Sequence, residues 1–94
     1  MLSWDALGHA MALSTQAVQQ RAIMALIAVE LTQLDRDEME LIQQYGLLSA
    51  VELEQAMQAG TVPEHPTWEE FIHWEAIEDR RQALKELLRG DPIG

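Results

Sequence analysis

The stretch that decides the fold is Ala22-Ile23-Met24-Ala25-Leu26-Ile27-Ala28-Val29-Glu30-Leu31, in which every residue except Glu30 is apolar. A helix of this composition is apolar on every side, and such a helix is normally surrounded by other segments. We therefore expect this block to form the core of the protein. The same reasoning places Glu30 at least partly out of water, among the aliphatic side chains around it.

The composition predicts an all-α protein. The chain has 94 residues, of which 48% are hydrophobic and only 5% aromatic, so its core consists mainly of Leu, Ile, Ala, Val and Met. These residues are typical of helix–helix packing. A chain of this length corresponds to one domain, residues 1–94. It contains no cysteine, which excludes disulfides, thiolate metal sites and cysteine nucleophiles.

Start and stop signals predict four helices, near residues 4–33, 36–45, 50–59 and 68–89. The signals for helix starts are an N-cap and three capping boxes: Ser3, Asp35-x-x-Glu38, Ser49-x-x-Glu52 and Thr67-x-x-Glu70. The signals for helix ends are glycines: Gly46, Gly60 and Gly90. We expect a helical bundle in which the two long helices form an antiparallel pair and the two short helices close one end.

The length of the first helix predicts a homodimer. A helix over residues 4–33 would be about 45 Å long, whereas a compact globule of this size is roughly 32 Å across. Either the helix breaks early, near Gly8 and Ser14-Thr15, or a second copy covers its nearly uncharged part. We favour the second copy, because one stripe of this part is apolar and has few other segments to cover it. The stripe contains Trp4, Leu7 and Met11.

The net charge of −10 is concentrated in the middle of the chain. Residues 30–79 contain thirteen acids and a single arginine, which gives −12, whereas residues 1–29 are neutral and residues 80–94 carry +2. Phosphate backbones and anionic lipids would be repelled, so we expect neither nucleic-acid nor membrane binding. The longest uncharged apolar run, Ala22 to Val29, is shorter than the ~20 residues that span a bilayer. We expect a cytoplasmic protein, and the acidic middle favours a basic partner protein.

A second apolar patch lies on the last helix. Trp68, Phe71 and Ile72 fall on the side opposite its inward arc, so a loop, another helix or a partner must cover them. Three large side chains beside an acidic segment are suitable anchors for a basic partner. This patch gives an alternative function, that of an acidic regulator or antitoxin-like neutraliser.

A metal site is a further alternative. Glu70-x-x-His73 on the last helix together with Glu30 on the first is half of a ferritin-like carboxylate and histidine site for iron or another divalent metal, and a two-fold dimer would supply the other half. Each residue also has a purely structural explanation. Glu70 completes the capping box of Thr67, His73 can bond to a neighbouring carboxylate or carbonyl, and Glu30 can pair with an arginine of the last helix.

The motifs of common enzymes are missing from the sequence. It has no glycine-rich phosphate loop and no glycine-flanked serine, and Ser3 and Ser49 are better explained as helix caps than as nucleophiles. We therefore expect a non-enzymatic protein without a cofactor. Its expected function is that of a small acidic interaction or assembly module that acts as a homo-oligomer.

Overall fold

A computed structural model describes residues 2–90 of the chain, and all regular structure in this range is helical. The helices are α1, Trp4–Met11; α2, Thr15–Tyr45; α3, Ala50–Gln58; and α4, Glu64–Leu88. The all-α prediction is confirmed. The contacts divide the chain into two compact units, Met1–Glu30 and Leu31–Gly94, of which the structure describes residues 2–30 and residues 31–90. The prediction of a single domain over residues 1–94 stays a prediction.

The predicted helix over residues 4–33 is wrong, because the chain breaks after Met11. Ala12 takes up a left-handed conformation with φ 57°, which ends α1. Ser14 then caps the next helix, since the backbone N–H of Ala17 donates to its Oγ at 3.1 Å. The Thr15 hydroxyl also donates to the Asp5 carboxylate, which ties the start of α2 to the first turn of α1. The early break that the sequence left open is therefore present.

The predicted division between residues 33 and 36 is also wrong, because α2 continues through it to Tyr45. Asp35 does not begin a helix; its carboxylate accepts a hydrogen bond from Arg81 instead. With 31 residues α2 is about 46 Å long. α1 and α2 together replace the first two predicted helices. Counted as one long helix that is bent at Ala12, they are followed by two further helices, α3 and α4.

The third helix is close to its prediction of residues 50–59. Ser49 caps it, with its Oγ 3.2 Å from the backbone N of Glu52, and the Glu52 carboxylate accepts from the backbone N–H of Leu48. A second carboxylate reaches the same helix start from α4, because Glu78 Oε2 accepts from the backbone N–H of Ala50 at 3.2 Å. Negative groups at a helix start stabilise it. This end of α3 is therefore fixed both by its own cap and by α4.

The last helix begins earlier than the predicted residue 68. It is counted from Glu64, although His65 has non-helical dihedral angles and the peptide bond between His65 and Pro66 is cis. Thr67 is buried, and Glu70 accepts hydrogen bonds from Tyr45 and Gln44 of α2. Glu70 is therefore engaged with α2, which is not the role that the predicted capping box gave it.

The core lies in the unit Leu31–Gly94. It is built from apolar side chains of α2, α3 and α4 and consists of Leu34, Leu41, Ala50, Leu53, Met57, Phe71, Trp74 and Ile77. Leu53 and Trp74 are the largest side chains that are completely buried. Polar contacts join Tyr45 to Glu70 and Asp35 to Arg81, so the second half of α2 runs antiparallel to α4. The partner of α4 shown by these contacts is thus the segment predicted as the short helix 36–45.

The helices of residues 2–90 do not include one that is both long and apolar enough to cross a membrane.

Candidate interaction surfaces

The first candidate surface belongs to the unit Met1–Glu30 and is named here the N-terminal apolar face. It combines the exposed large apolar side chains of α1 with those of the first half of α2: Trp4, Leu7, Met11, Ile23, Met24, Leu26 and Val29. The exposed fractions of the four on α2 are 59%, 55%, 62% and 64% in chain order. The prediction that this block forms an enclosed core is therefore wrong for the single chain, in which Ile27 is the buried member of residues 22–30.

A tight contact positions α1 against the start of α2. Gly8 is buried, and a Cβ added to it would lie 2.8 Å from the carbonyl oxygen of Leu13 and 3.3 Å from Val18 Cγ2. Val18 is itself buried, with 2% of its surface exposed. Only glycine permits this approach, because any larger residue would push the Leu13 backbone away. Leu7, the residue before Gly8, is 45% exposed.

An open groove of about 580 Å³ lies along α1. Apart from the N-cap Ser3, its lining is apolar and comes from α1 and the residue before the cap: Leu2, Trp4, Ala6, Leu7 and Ala10. The backbone N–H of Ala6 donates to Ser3 Oγ at 3.0 Å, so the predicted N-cap of this helix is confirmed. The groove is suited to receive apolar side chains, because its lining offers little else to bind.

The second candidate surface lies on the exposed side of α4 and is named here the Trp68 surface. Trp68 and Ile72 are each 50% exposed and lie one helical turn apart. Glu75 and Asp79 are exposed and follow Ile72 at spacings of three and four residues, which places them on the same side of the helix. The surface therefore combines two apolar side chains with two carboxylates.

Phe71 does not belong to this surface. It was predicted as an anchor beside Trp68 and Ile72, but it is 5% exposed and is part of the core. Its ring contacts that of Trp68, with a distance of 5.1 Å between the ring centroids. Phe71 therefore supports Trp68 from below, because the contact restricts the position of the exposed indole.

The polar groups with shifted pKa values form two clusters between α2 and α4. Burial opposes ionisation of Glu38, but hydrogen bonds from Arg81 and Trp74 outweigh it, so the pKa of Glu38 lies below its usual value. The same bond to Glu38 raises the pKa of Arg81. In the second cluster, burial and then the carboxylate of Glu70 raise the pKa of Tyr45. All these groups have hydrogen-bond partners, and their contacts hold α2 and α4 together.

The residues of the predicted metal site have other surroundings in the single chain. Glu30 and His73 are exposed, which corrects the expectation that Glu30 is buried, and Glu70 accepts hydrogen bonds from Tyr45 and Gln44. Among residues 2–90, no group of three or more acidic or histidine side chains is placed to hold a metal ion. Because the predicted site needs a second copy, iron or other divalent metal binding by Glu30, Glu70 and His73 stays a prediction.

Sequence reasoning named Trp4, Leu7 and Met11 on the first surface and Trp68 and Ile72 on the second, but it missed the other residues of both. Leu26 and Val29 were assigned to the interior, and no pattern distinguishes them from Ile27, which is buried. Glu75 and Asp79 were counted only in the total charge. The signal for the second pair was their spacing of three to four residues from Trp68 and Ile72, which places all four on one side of a helix.

Three comparisons with known proteins complete these observations. Neither the curated proteins nor the solved structures gave a match to the chain. The model of one protein family, described as the Uncharacterized protein MJ0235 family, matches residues 1–90. Since this match covers nearly the whole chain, the protein belongs to the Uncharacterized protein MJ0235 family.

Proposed function

We propose that this protein is a non-enzymatic assembly module that acts as a homo-oligomer, in its simplest form a homodimer, through the N-terminal apolar face. The observation that carries the proposal is the exposure of Leu26 and Val29, at 62% and 64%, in the most apolar stretch of the chain. Monomeric soluble proteins rarely expose continuous apolar patches of more than a few hundred Å². A partner that covers this stretch removes its apolar side chains from water.

The charge distribution favours a second copy of the same chain as that partner. Residues 1–29 contain one acid, Asp5, and one base, Arg21, so two copies of this unit do not repel each other. The Asp5 carboxylate is already used by Thr15. Since the face offers few charges to a partner, the complementary surface must itself be apolar and nearly neutral. The face itself meets this requirement, and closed symmetric pairing is the commonest form of assembly.

Sedimentation velocity of the full chain over a range of concentrations tests the proposal. We expect a dimer that persists at about 1 M salt, because apolar contacts are not screened. The double substitution Leu26→Lys and Val29→Lys places two charges in the expected interface and should convert the protein to a monomer. Both side chains are more than half exposed in the single chain, so the fold of the monomer should tolerate the change.

The matched control is the double substitution Met39→Lys and Val51→Lys. These two apolar residues are also exposed, at 50% and 59%, but lie outside the N-terminal apolar face. The control variant should remain a dimer. A wild-type protein that sediments as a monomer at all concentrations would refute the proposal, as would a dimer lost equally in both variants.

A further inference from the structure

We infer that the Trp68 surface binds a cationic amphipathic segment of a partner protein. The inference is independent of the homo-oligomer proposal, because it concerns a different helix and a different kind of partner. Trp68 and Ile72 are half exposed on adjacent turns, while Phe71 behind them belongs to the core. A large aromatic side chain held in place by a buried one is a typical anchor of an interface.

The charges around the anchors determine the chemistry of the partner. Glu75 and Asp79 continue the same side of α4 beyond Ile72. Glu64 is exposed at the start of α4, before the non-helical residue His65. The stretch of residues 37–79 contains eleven acids and no lysine or arginine. Apolar anchors within such a field select a partner that presents apolar side chains together with lysine or arginine. Nucleic acids and anionic membranes are disfavoured by the same field.

The chain's own cations do not neutralise this surface. Among residues 2–90, Arg81 forms ion pairs with Asp35 and Glu38, and Arg89 forms one with Glu86. Glu75 and Asp79 take part in none of these pairs. A second copy would add a further net charge of −10, so self-association increases the need for external positive charge. The complementary cations must therefore come from a different protein.

The segment that fits is a helix with apolar residues on one side and lysine or arginine along both edges. Its apolar side packs on Trp68 and Ile72, and its cations reach the carboxylates that flank them. Helices commonly dock on one another through anchors at this spacing. Since charge steers the encounter, association should be fast at low salt and slow at high salt.

The probe for the test is a synthetic, fluorescently labelled helical peptide made of leucine and lysine with one apolar side. Its binding to the full-length protein is measured by fluorescence anisotropy. We expect saturable binding that weakens as salt is raised from about 0.05 to 0.5 M. The substitutions Trp68→Ala and Ile72→Ala together should weaken binding about tenfold or more. The matched control, Met39→Ala with Val51→Ala, changes two exposed apolar residues outside both candidate surfaces and should leave peptide affinity unchanged.

A second pair of variants separates local from general electrostatics. Glu75→Gln with Asp79→Asn removes two charges from the Trp68 surface and should weaken binding severalfold. Glu30→Gln with Glu40→Gln removes two exposed charges elsewhere and should have a smaller effect. The inference is overturned by any of three results: no binding at low salt, equal effects of the two charge variants, or equal binding of a peptide in which serine replaces every leucine. Loss of the dimer in the Leu26 and Val29 variant would leave this result unaffected.

Discussion

Arg81 and Glu38 form a two-pronged ion pair between α4 and α2. Arg81 Nη2 lies 2.9 Å from Glu38 Oε1, and Nη1 donates to Oε2 at 3.4 Å. The same Oε2 accepts a hydrogen bond from the indole N–H of Trp74 at 3.0 Å. Trp74 is completely buried, so the pair links the polar edge of the two helices to the centre of the core. The Arg81 guanidinium also donates to the Asp35 carboxylate at 3.1 Å.

Replacement of Arg81 by Met should destabilise the protein by about 1–3 kcal/mol, because the partly buried Glu38 carboxylate loses two of its hydrogen bonds. Methionine keeps the length and helix propensity of the side chain, so the loss reports mainly on the ion pair. The measurement is urea unfolding followed by circular dichroism. Arg80→Met is the control, since Arg80 is exposed and carries the same charge; equal losses in the two variants would contradict the prediction.

Acid should weaken the ion pair between Arg81 and Glu38. The pKa of Glu38 in the folded protein lies below its usual value of 4.5, so the folded state favours the ionised form. The resulting stabilisation is complete above pH 4.5 and is lost as the pH falls below 4.5 and through the lowered pKa. Unfolding midpoints in urea should therefore decrease on acidification, and the decrease should be smaller in Glu38→Gln. Glu40→Gln, at an exposed position on α2, should keep the wild-type dependence.

Tyr45 offers a direct titration, because it is the only tyrosine of the chain. Burial and the hydrogen bond to Glu70, 2.7 Å long, raise the pKa of its hydroxyl above 10.0. The near-ultraviolet absorbance of tyrosinate should therefore show a midpoint above 10.0 in the native protein. Glu70→Gln removes the negative charge and should lower this midpoint. The control is Glu69→Gln at an exposed neighbouring position, and an unchanged midpoint in Glu70→Gln would show that the contact does not form.

The helix ends that could be predicted from the sequence are those set by local chemistry. Ser3 and Ser49 accept the backbone hydrogen bonds expected of N-caps, and Gly60 and Gly90 have the positive φ that favours glycine at a helix end. These signals act within a few residues. The sequence therefore contains them in full, whatever the rest of the chain does.

The ends that could not be predicted depend on distant contacts. Asp35 and Glu38 match a capping box, but both carboxylates bond to Arg81, more than 40 residues away, and the helix passes through them. The true break falls at Ala12, which is left-handed without being glycine. No composition signal marks such a residue. The tight approach of Gly8 to Leu13 requires the turn, and only the folded unit contains that contact.

The burial of apolar side chains was the least predictable property. The block of residues 22–31 is apolar on all sides. This pattern indicates that its side chains are buried against other segments, but it does not distinguish segments of the same chain from those of a second chain. In the single chain Leu26 is 62% exposed while Ile27, its neighbour, is 6% exposed. For the Trp68 surface, periodicity places Phe71 with Trp68 and Ile72. In the structure Phe71 is buried in the core, whereas Trp68 and Ile72 are exposed.

Gly8 provides the sharpest test of the unit Met1–Glu30. Replacing a helical glycine by alanine ordinarily stabilises the helix by up to about 1 kcal/mol. Here the added Cβ would lie 2.8 Å from the Leu13 carbonyl oxygen, which is backbone and cannot move without opening the turn. We therefore expect Gly8→Ala to reduce the protection of α1 amides in hydrogen exchange, against the direction of helix propensity. Ala6→Gly, which lowers helix propensity at an exposed position of α1, gives the scale of the propensity effect alone. If Gly8→Ala increased the protection of α1, the close contact between α1 and the turn at Leu13 would be disproved, and with it the arrangement that holds Leu7 on the outside of the N-terminal apolar face.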